Sequence, residues 1–330
     1  LLESFPTGAN ARKIPAEDWS GVEEFIERDK EQPFCLIICS LHAHSPWDSG
    51  DSSEWDVNTL KLPAHFPDTM ESRLHYREYL AEVKLFDEQV GKSRAMMQRL
   101  GLDDNTALIV LDENGAGMPG GKWSNYDWGV RSACVMQWPE RYQAQRQTDA
   151  LAMYCDVLPT LIDAAGGEVP ESLDGRSLLN LITGKTDTHR EHAFFVYNNS
   201  ASGPAYPSRA ATDGRFKLVW NLTPDAVVAH PTINGFDYDY VDRMVDRPER
   251  FMYLSWLEKA KTDPEAQRMV DRYRSRPEFQ LFDLDADPWE MTNLAGGSAY
   301  AADQERLFAA IKNWMTQQGD AGAAIDVERK

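Results

Sequence analysis

The run Thr106–Leu111, TALIVL, carries no charge, and it stops abruptly at Asp112, Glu113 and Asn114, followed by Gly115, Gly117, Gly120, Gly121 and then Lys122. A short apolar run rich in β-formers suits a strand buried on both faces, and that requires helices packed over a sheet. Polar groups at such a strand's carboxyl end stand where open α/β sheets gather their ligands. Residues 33–40, PFCLIICS, are predicted to be a second strand of this kind, bounded by Pro33 and by HAHSPW. Residues 132–138, SACVMQW, are predicted to be a third, closed by Pro139.

Between the first two runs, Tyr76, Tyr79, Leu80, Val83, Phe86, Val90, Met97 and Leu100 recur at three- and four-residue steps, with Gly101 as a stop. That spacing predicts a long amphipathic helix over 72–100. Further helices are expected over 147–157 and over 159–165, the latter with Pro159 in its first turn and Gly166 as its cap. The order points to an α/β fold, a mostly parallel sheet flanked by helices. After residue 190 the pattern changes: 192–197 and 209–222 read as antiparallel strands, the latter a hairpin turning at Asp213-Gly214. A strand opens the 280–296 stretch, and 303–320 reads as a terminal helix. Two regions are expected, 1–190 with the α/β sheet and 191–330 a small antiparallel sheet plus helix. The stretch 223–279 is expected to be loop plus helix.

The formal charge of −19 argues against nucleic acid or an anionic membrane as partner, because both need a basic face. The longest apolar runs fall short of the roughly 20 residues a membrane span needs, so no span is expected. The first residues, LLESFPTGANARKIP, have neither an initiator Met nor a basic leader, so the chain is expected to start downstream of a natural beginning. Cys35, Cys39, Cys134 and Cys155 sit among apolar residues, outside any zinc spacing, and are expected to be buried free thiols.

A carboxylate beside an amide offers hard oxygen donors, which suit Ca²⁺ or Mg²⁺ better than zinc. Lys122, returning through glycines, can set a point charge against an anion. Taken singly each feature has a plainer reading: Asn114-Gly115 as a turn, His42 or His44 as a packed imidazole, Lys122 as a surface lysine.

In this order and spacing the segments resemble the sulfatases of the alkaline-phosphatase-like superfamily, particularly the heparan N-sulfatase type. HAHSPW stands for the family's histidine element, LPAHFPDTMESR and YLAEVKLFDEQVG follow, and TALIVLDENG leads into PGGKWSNYDWGVRSACVMQWP. DVLPTLIDAAGG, LDGRSLLNLITGK, AYPSRAATDGRFKLVWNL and LFDLDADPWEMTNLAG extend the likeness over roughly 30–320. The resemblance implies that His44 contacts sulfate and protonates the leaving oxygen, with His42 the other candidate. Lys122 contacts sulfate, Glu113 and Asn114 are Ca²⁺ ligands, and Arg209 faces substrate. The family usually has Asp before the amide; here Glu113 holds that place with Asp112 before it, and either carboxylate can reach a metal.

The same resemblance implies a formylglycine nucleophile made from Cys or Ser in a C/S-x-P-x-R motif. No Cys or Ser of this chain stands in one. The sequence is therefore expected to be the later part of a sulfatase fold, with the nucleophile and further metal ligands in a missing N-terminal half, and to have negligible turnover alone. The implied substrate is a sulfated saccharide, the implied cofactor Ca²⁺, and the implied location periplasmic or secreted. Two alternatives stay open, a phosphodiesterase or phosphonate hydrolase of the same superfamily, and a non-catalytic fragment.

Overall fold

The computed structural model describes residues 19–29, 31–139, 141–142, 146–198, 205–230, 233–234 and 248–325. Its longest element is α2 (Met70–Leu100), preceded by α1 (Ser20–Glu27). Thr69 caps α2 by accepting the Ser72 N–H at 3.1 Å, and Gly101 ends it at φ 68°, a left-handed conformation that glycine adopts without steric cost. The apolar stripe of α2 faces α6 (Pro248–Ala260), where the Trp256 Nε1–H donates to Ser72 Oγ at 2.7 Å and the Thr69 and Ser255 hydroxyls lie 2.8 Å apart. Trp47, Phe66, Met118, Met252, Tyr253 and Trp256 form the core there. Helix α7 (Pro264–Arg274) packs on α6, its first turn capped by Asp263. The expected helical character within 223–279 is thus carried by α6 and α7, while residues 235–247 lie outside the described residues.

Strand β1 (Leu108–Leu111) has one neighbour, β2 (Cys134–Gln137), and the two run antiparallel, Leu108 opposite Gln137 and Leu111 opposite Cys134. No parallel strand pair is formed among the described residues. The connection, residues 112–133, folds as a glycine loop and the one-turn helix α3 (Asp127–Val130) instead of a crossover helix laid over the sheet, and returns the chain alongside β1. The expected strand over 33–40 is also corrected. The segment makes no ladder, and Ile37 is 73% exposed, with Ile38 and Leu41 exposed beside it. All four cysteines are exposed rather than buried, because two ride on this uncovered segment and the others lie at β2 and at Tyr154–Asp156. The helix expected over 147–157 is irregular apart from a single turn at Tyr154–Asp156; α4 (Val157–Ala164) begins there, and α5 (Leu179–Ile182) follows.

The second sheet is antiparallel in the order β3 (Ala193–Tyr197), β4 (Ser208–Thr212), β5 (Phe216–Asn221) and β6 (Phe279–Asp283). The β4–β5 hairpin turns where expected: Asp213 Oδ1 accepts the N–H groups of Arg215 and Phe216 at 2.9 and 2.7 Å, and Gly214 takes φ 101°. Helix α8 (Ala301–Gln317) covers the sheet, with Leu307 and Ile311 fully buried against Ala211, Leu218 and Leu281. Each such Leu or Ile contributes about 1.5–3 kcal/mol by leaving water.

Candidate functional site

Beyond β1 the chain folds tightly on itself. The Gly115 N–H donates to Gly129 O at 3.0 Å, and Lys122 N–H to Ala116 O at 2.8 Å. A Cβ at Gly115 would lie 1.7 Å from the Trp128 carbonyl oxygen, and one at Gly121 would meet Ala116 O at 2.3 Å and the Trp128 ring at 2.8 Å. The glycines are therefore required to seat α3 and its Trp128 against the loop.

This packing leaves a cavity of about 400 Å³, lined by Asp112, Asn114, Gly115 and Ala116 from the loop, Tyr79 of α2, Asp127 and Trp128 of α3, Arg131, and Pro288 with Trp289. Burial pushes the Tyr79 phenol up to about 12, helped by the negative charge of Asp112. It is a neutral hydroxyl at physiological pH. Asp127 is held from three sides: Lys217 Nζ of β5, itself fully buried, reaches Asp127 Oδ1 at 2.7 Å, Arg131 lies 3.8 Å from Oδ2, and the Asp127 N–H donates to Glu290 Oε2 at 2.7 Å. Burial raises the Glu290 carboxyl, with Lys217 pulling the other way. Lys217 and Glu290 thus fix Asp127 without lining the cavity.

Of the residues expected to form the site, Asn114 lines the cavity, and the carboxylate beside it is Asp112; Glu113 is exposed and outside the lining. His44 is exposed on the loop after 33–41, its Nδ1–H donating to Ser45 O at 2.8 Å, which leaves Nε2 as the outward nitrogen. His42 is turned the other way. Its Nδ1 lies 2.7 Å from Oε2 of buried Glu82, whose Oε1 accepts the Ser49 N–H at 2.8 Å, so His42 ties its loop to α2 instead of facing a ligand. Lys122 carries its ammonium 5.6 Å from the Trp123 ring, which stacks on buried His230 at 3.4 Å. Burial, with the Lys122 charge, lowers the His230 pKa to about 3. Neither His44 nor Lys122 lines the cavity.

Arg209 does not face a substrate. It is 1% exposed on β4, with Nε 2.5 Å and one terminal nitrogen 3.0 Å from the Asp320 carboxylate, and the other donating to Asn198 Oδ1 at 2.8 Å and to Ser208 O at 2.9 Å. Its donors are spent on holding the sheet to the end of α8. Tyr79, Asp127, Trp128, Arg131 and Trp289 reach the cavity from segments that carried no assigned role; YDWGVR and DPWE were conspicuous in sequence, but nothing in either says which side chain faces inward.

The oxygens of Asp112 or Glu113 and Asn114 are of the kind Ca²⁺ takes, but that ion needs six to eight. Among the described residues no group of three or more His, Cys, Asp or Glu is placed to hold a metal. These few donors do not by themselves surround such an ion.

A family model for sulfatases matches residues 20–167, and one for the C-terminal region of N-sulphoglucosamine sulphohydrolase matches 121–226. An ulvan-active sulfatase of Formosa agariphila is 24% identical over 297 residues, 89% of this chain and 54% of that protein. Among solved structures, a protein from a Bacteroides thetaiotaomicron locus for the metabolism of multiple glycosaminoglycans superposes with TM-score 0.66 at 19% identity, covering 92% of this chain and 58% of its own. One solved in complex with its substrate D-glucosamine-2-N,6-O-disulfate gives 0.55 at 22%, covering 76% and 42%. A phosphonate monoester hydrolase from Silicibacter pomeroyi gives 0.57 at 19%, covering 84% and 53%.

The chain belongs to the sulfatase family, and its fold is that of the alkaline-phosphatase-like sulfatases. It spans about half the length of the relatives it matches.

Proposed function

We propose that this chain is part of a sulfuric ester or N-sulfate hydrolase acting on sulfated glycans, with a calcium-centred anion site at the end of β1. The observation that carries this reading is the pairing of Asp112 and Asn114 on one cavity wall, directly after an apolar strand, in a chain of the sulfatase family. Asp112 is favoured over Glu113 as the carboxylate ligand because it lines the cavity. When bound, Ca²⁺ would supply positive charge against the sulfate oxygens. Its remaining ligands, and the formylglycine nucleophile, belong to the length of the fold that relatives have and this chain does not span. His44 is proposed to present Nε2 as proton donor to the leaving oxygen, and Lys122 to neutralise sulfate charge. Both would have to meet the anion as the missing half packs against these loops. On this reading the substrate is a sulfated saccharide, and this chain alone has negligible turnover.

The test is release of inorganic sulfate from a panel of sulfated mono- and oligosaccharides, by this chain and by one extended to the length of its relatives. Sulfate release by the extended chain that stops with a chelator and returns with Ca²⁺ is expected. No release across the panel defeats the proposal. In the extended chain Asn114→Ala and Asp112→Asn should each weaken Ca²⁺ affinity at least tenfold in a titration, and Glu113→Gln should change it little.

A second reading, phosphonate or phosphodiester hydrolysis, has the phosphonate monoester hydrolase likeness in its favour. Turnover of an aryl phosphonate ester exceeding that of the sulfated sugars would select it.

A further inference from the structure

The cavity has two kinds of lining that come from different segments. Asp112 and Asn114 offer oxygen donors from the β1 loop, whereas Trp128 and Trp289 form an aromatic wall, with Tyr79 also lining the space. The two indoles lie 5.7 Å apart at 44°, and Trp289 is 38% exposed. The wall is braced from behind: His65, 5% exposed, packs against Trp128 at 5.3 Å and Trp289 at 5.7 Å, and Phe66 meets Trp128 at 6.1 Å. Burial holds the His65 pKa at about 3, so the brace is neutral at physiological pH.

Beside the wall stand two polar groups with capacity to spare. Asp127 Oδ1 is taken by Lys217, but Oδ2 has only the loose 3.8 Å pairing with Arg131, whose side chain is 77% exposed. Trp128 Nε1–H, a buried donor, has no hydrogen-bond partner. A wholly apolar guest would cover the indoles and take water from Asp127 Oδ2 without replacing it, which is costly. A guest with one C–H-rich face and several hydroxyls satisfies both.

We propose that Trp128 and Trp289, with Asp127 and Arg131, form a subsite for the pyranose ring of a saccharide, its C–H face on the indoles and its hydroxyls paired with the carboxylate and guanidinium. The subsite lies in the same cavity as Asp112 and Asn114, and the inference rests on the reading of that cavity as a sulfated-glycan site. The braced wall lowers the ordering cost of binding, since the rings need not be immobilised by the sugar.

The experiment follows the indole N–H signals of ¹⁵N-tryptophan-labelled protein during titration with D-glucosamine 6-sulfate, D-glucosamine and inorganic sulfate. The resonances of Trp128 and Trp289, assigned from Trp128→Phe and Trp289→Phe, should shift saturably with both sugars and stay still with sulfate. Trp289→Ala should weaken the sugar titration about tenfold, and Trp289→Phe, which keeps an aromatic face, less than threefold. Arg131→Gln, at a side chain that is 77% exposed, should weaken it severalfold. Indole resonances unmoved by either sugar, or a Trp289→Ala titration within twofold of the unsubstituted protein, overturn the subsite. Sulfate release without these shifts would leave the hydrolase reading intact and remove the subsite; shifts without sulfate release from the extended chain would do the reverse.

Discussion

His65 is kept neutral by burial between two tryptophans and Phe66, with the Arg272 charge adding to the effect. Its pKa falls from 6.5 in the unfolded chain to about 3 in the fold. Between those values the unfolded state binds the extra proton, so stability is complete above pH 6.5 and is lost as pH falls toward 3. His230 behaves alike. A His65→Phe variant should therefore show a shallower fall in urea midpoint between pH 7 and pH 4 than the unsubstituted protein. An unchanged slope would mean that His65 titrates normally. Individual side chains were the hardest thing to read from sequence. Asn114 was legible as a loop residue at a strand end because an uncharged apolar run leads straight to it. The surroundings of Arg209 were not legible, because an arginine after Pro-Ser looks the same facing a ligand or an Asp320 that lies 111 residues away.

Helices α2 and α8 were legible because their own side-chain periodicity determines them. Residues 33–40 were not, because a strand exists only through the neighbour it pairs with, and sequence periodicity cannot show that neighbour. The antiparallel pairing of β1 with β2 was not legible for a related reason: apolar runs give strands, whereas the connection between them gives direction. The terminal helix offers a direct test. Asp320, just beyond α8, neutralises Arg209 inside the sheet. Removing a single partner leaves a buried charge uncompensated, at about 3–5 kcal/mol. Asp320→Ala should lower the unfolding free energy by that amount in urea titration, and a loss below 1 kcal/mol would show that the guanidinium finds water or another acceptor.

At the scale of the molecule, several large apolar side chains stand exposed among the described residues: Ile37, Ile38 and Leu41 on one segment, Val135 on β2, Tyr154 before α4 and Leu158 within it. The three on residues 37–41 share one segment that no strand covers. The thiols report on it. All four should react with an aromatic disulfide reagent without denaturant. Cys134 and Cys155 are exposed residues whose sulfurs are partly desolvated by neighbouring groups, which raises their pKa, so these two should lag at pH 7 and speed up in alkali as thiolate forms. Fewer than four native thiols would mean that the segment or strand carrying the silent cysteine is covered in solution.

Lys217 belongs to the small sheet and Asp127 to the cavity, and the bond between them has water on neither side of the lysine. An alteration in the sheet that moves that ammonium would be felt by a bound guest it never touches. Sequence drift in the small sheet would thus retune the proposed subsite while every wall-lining residue stays the same.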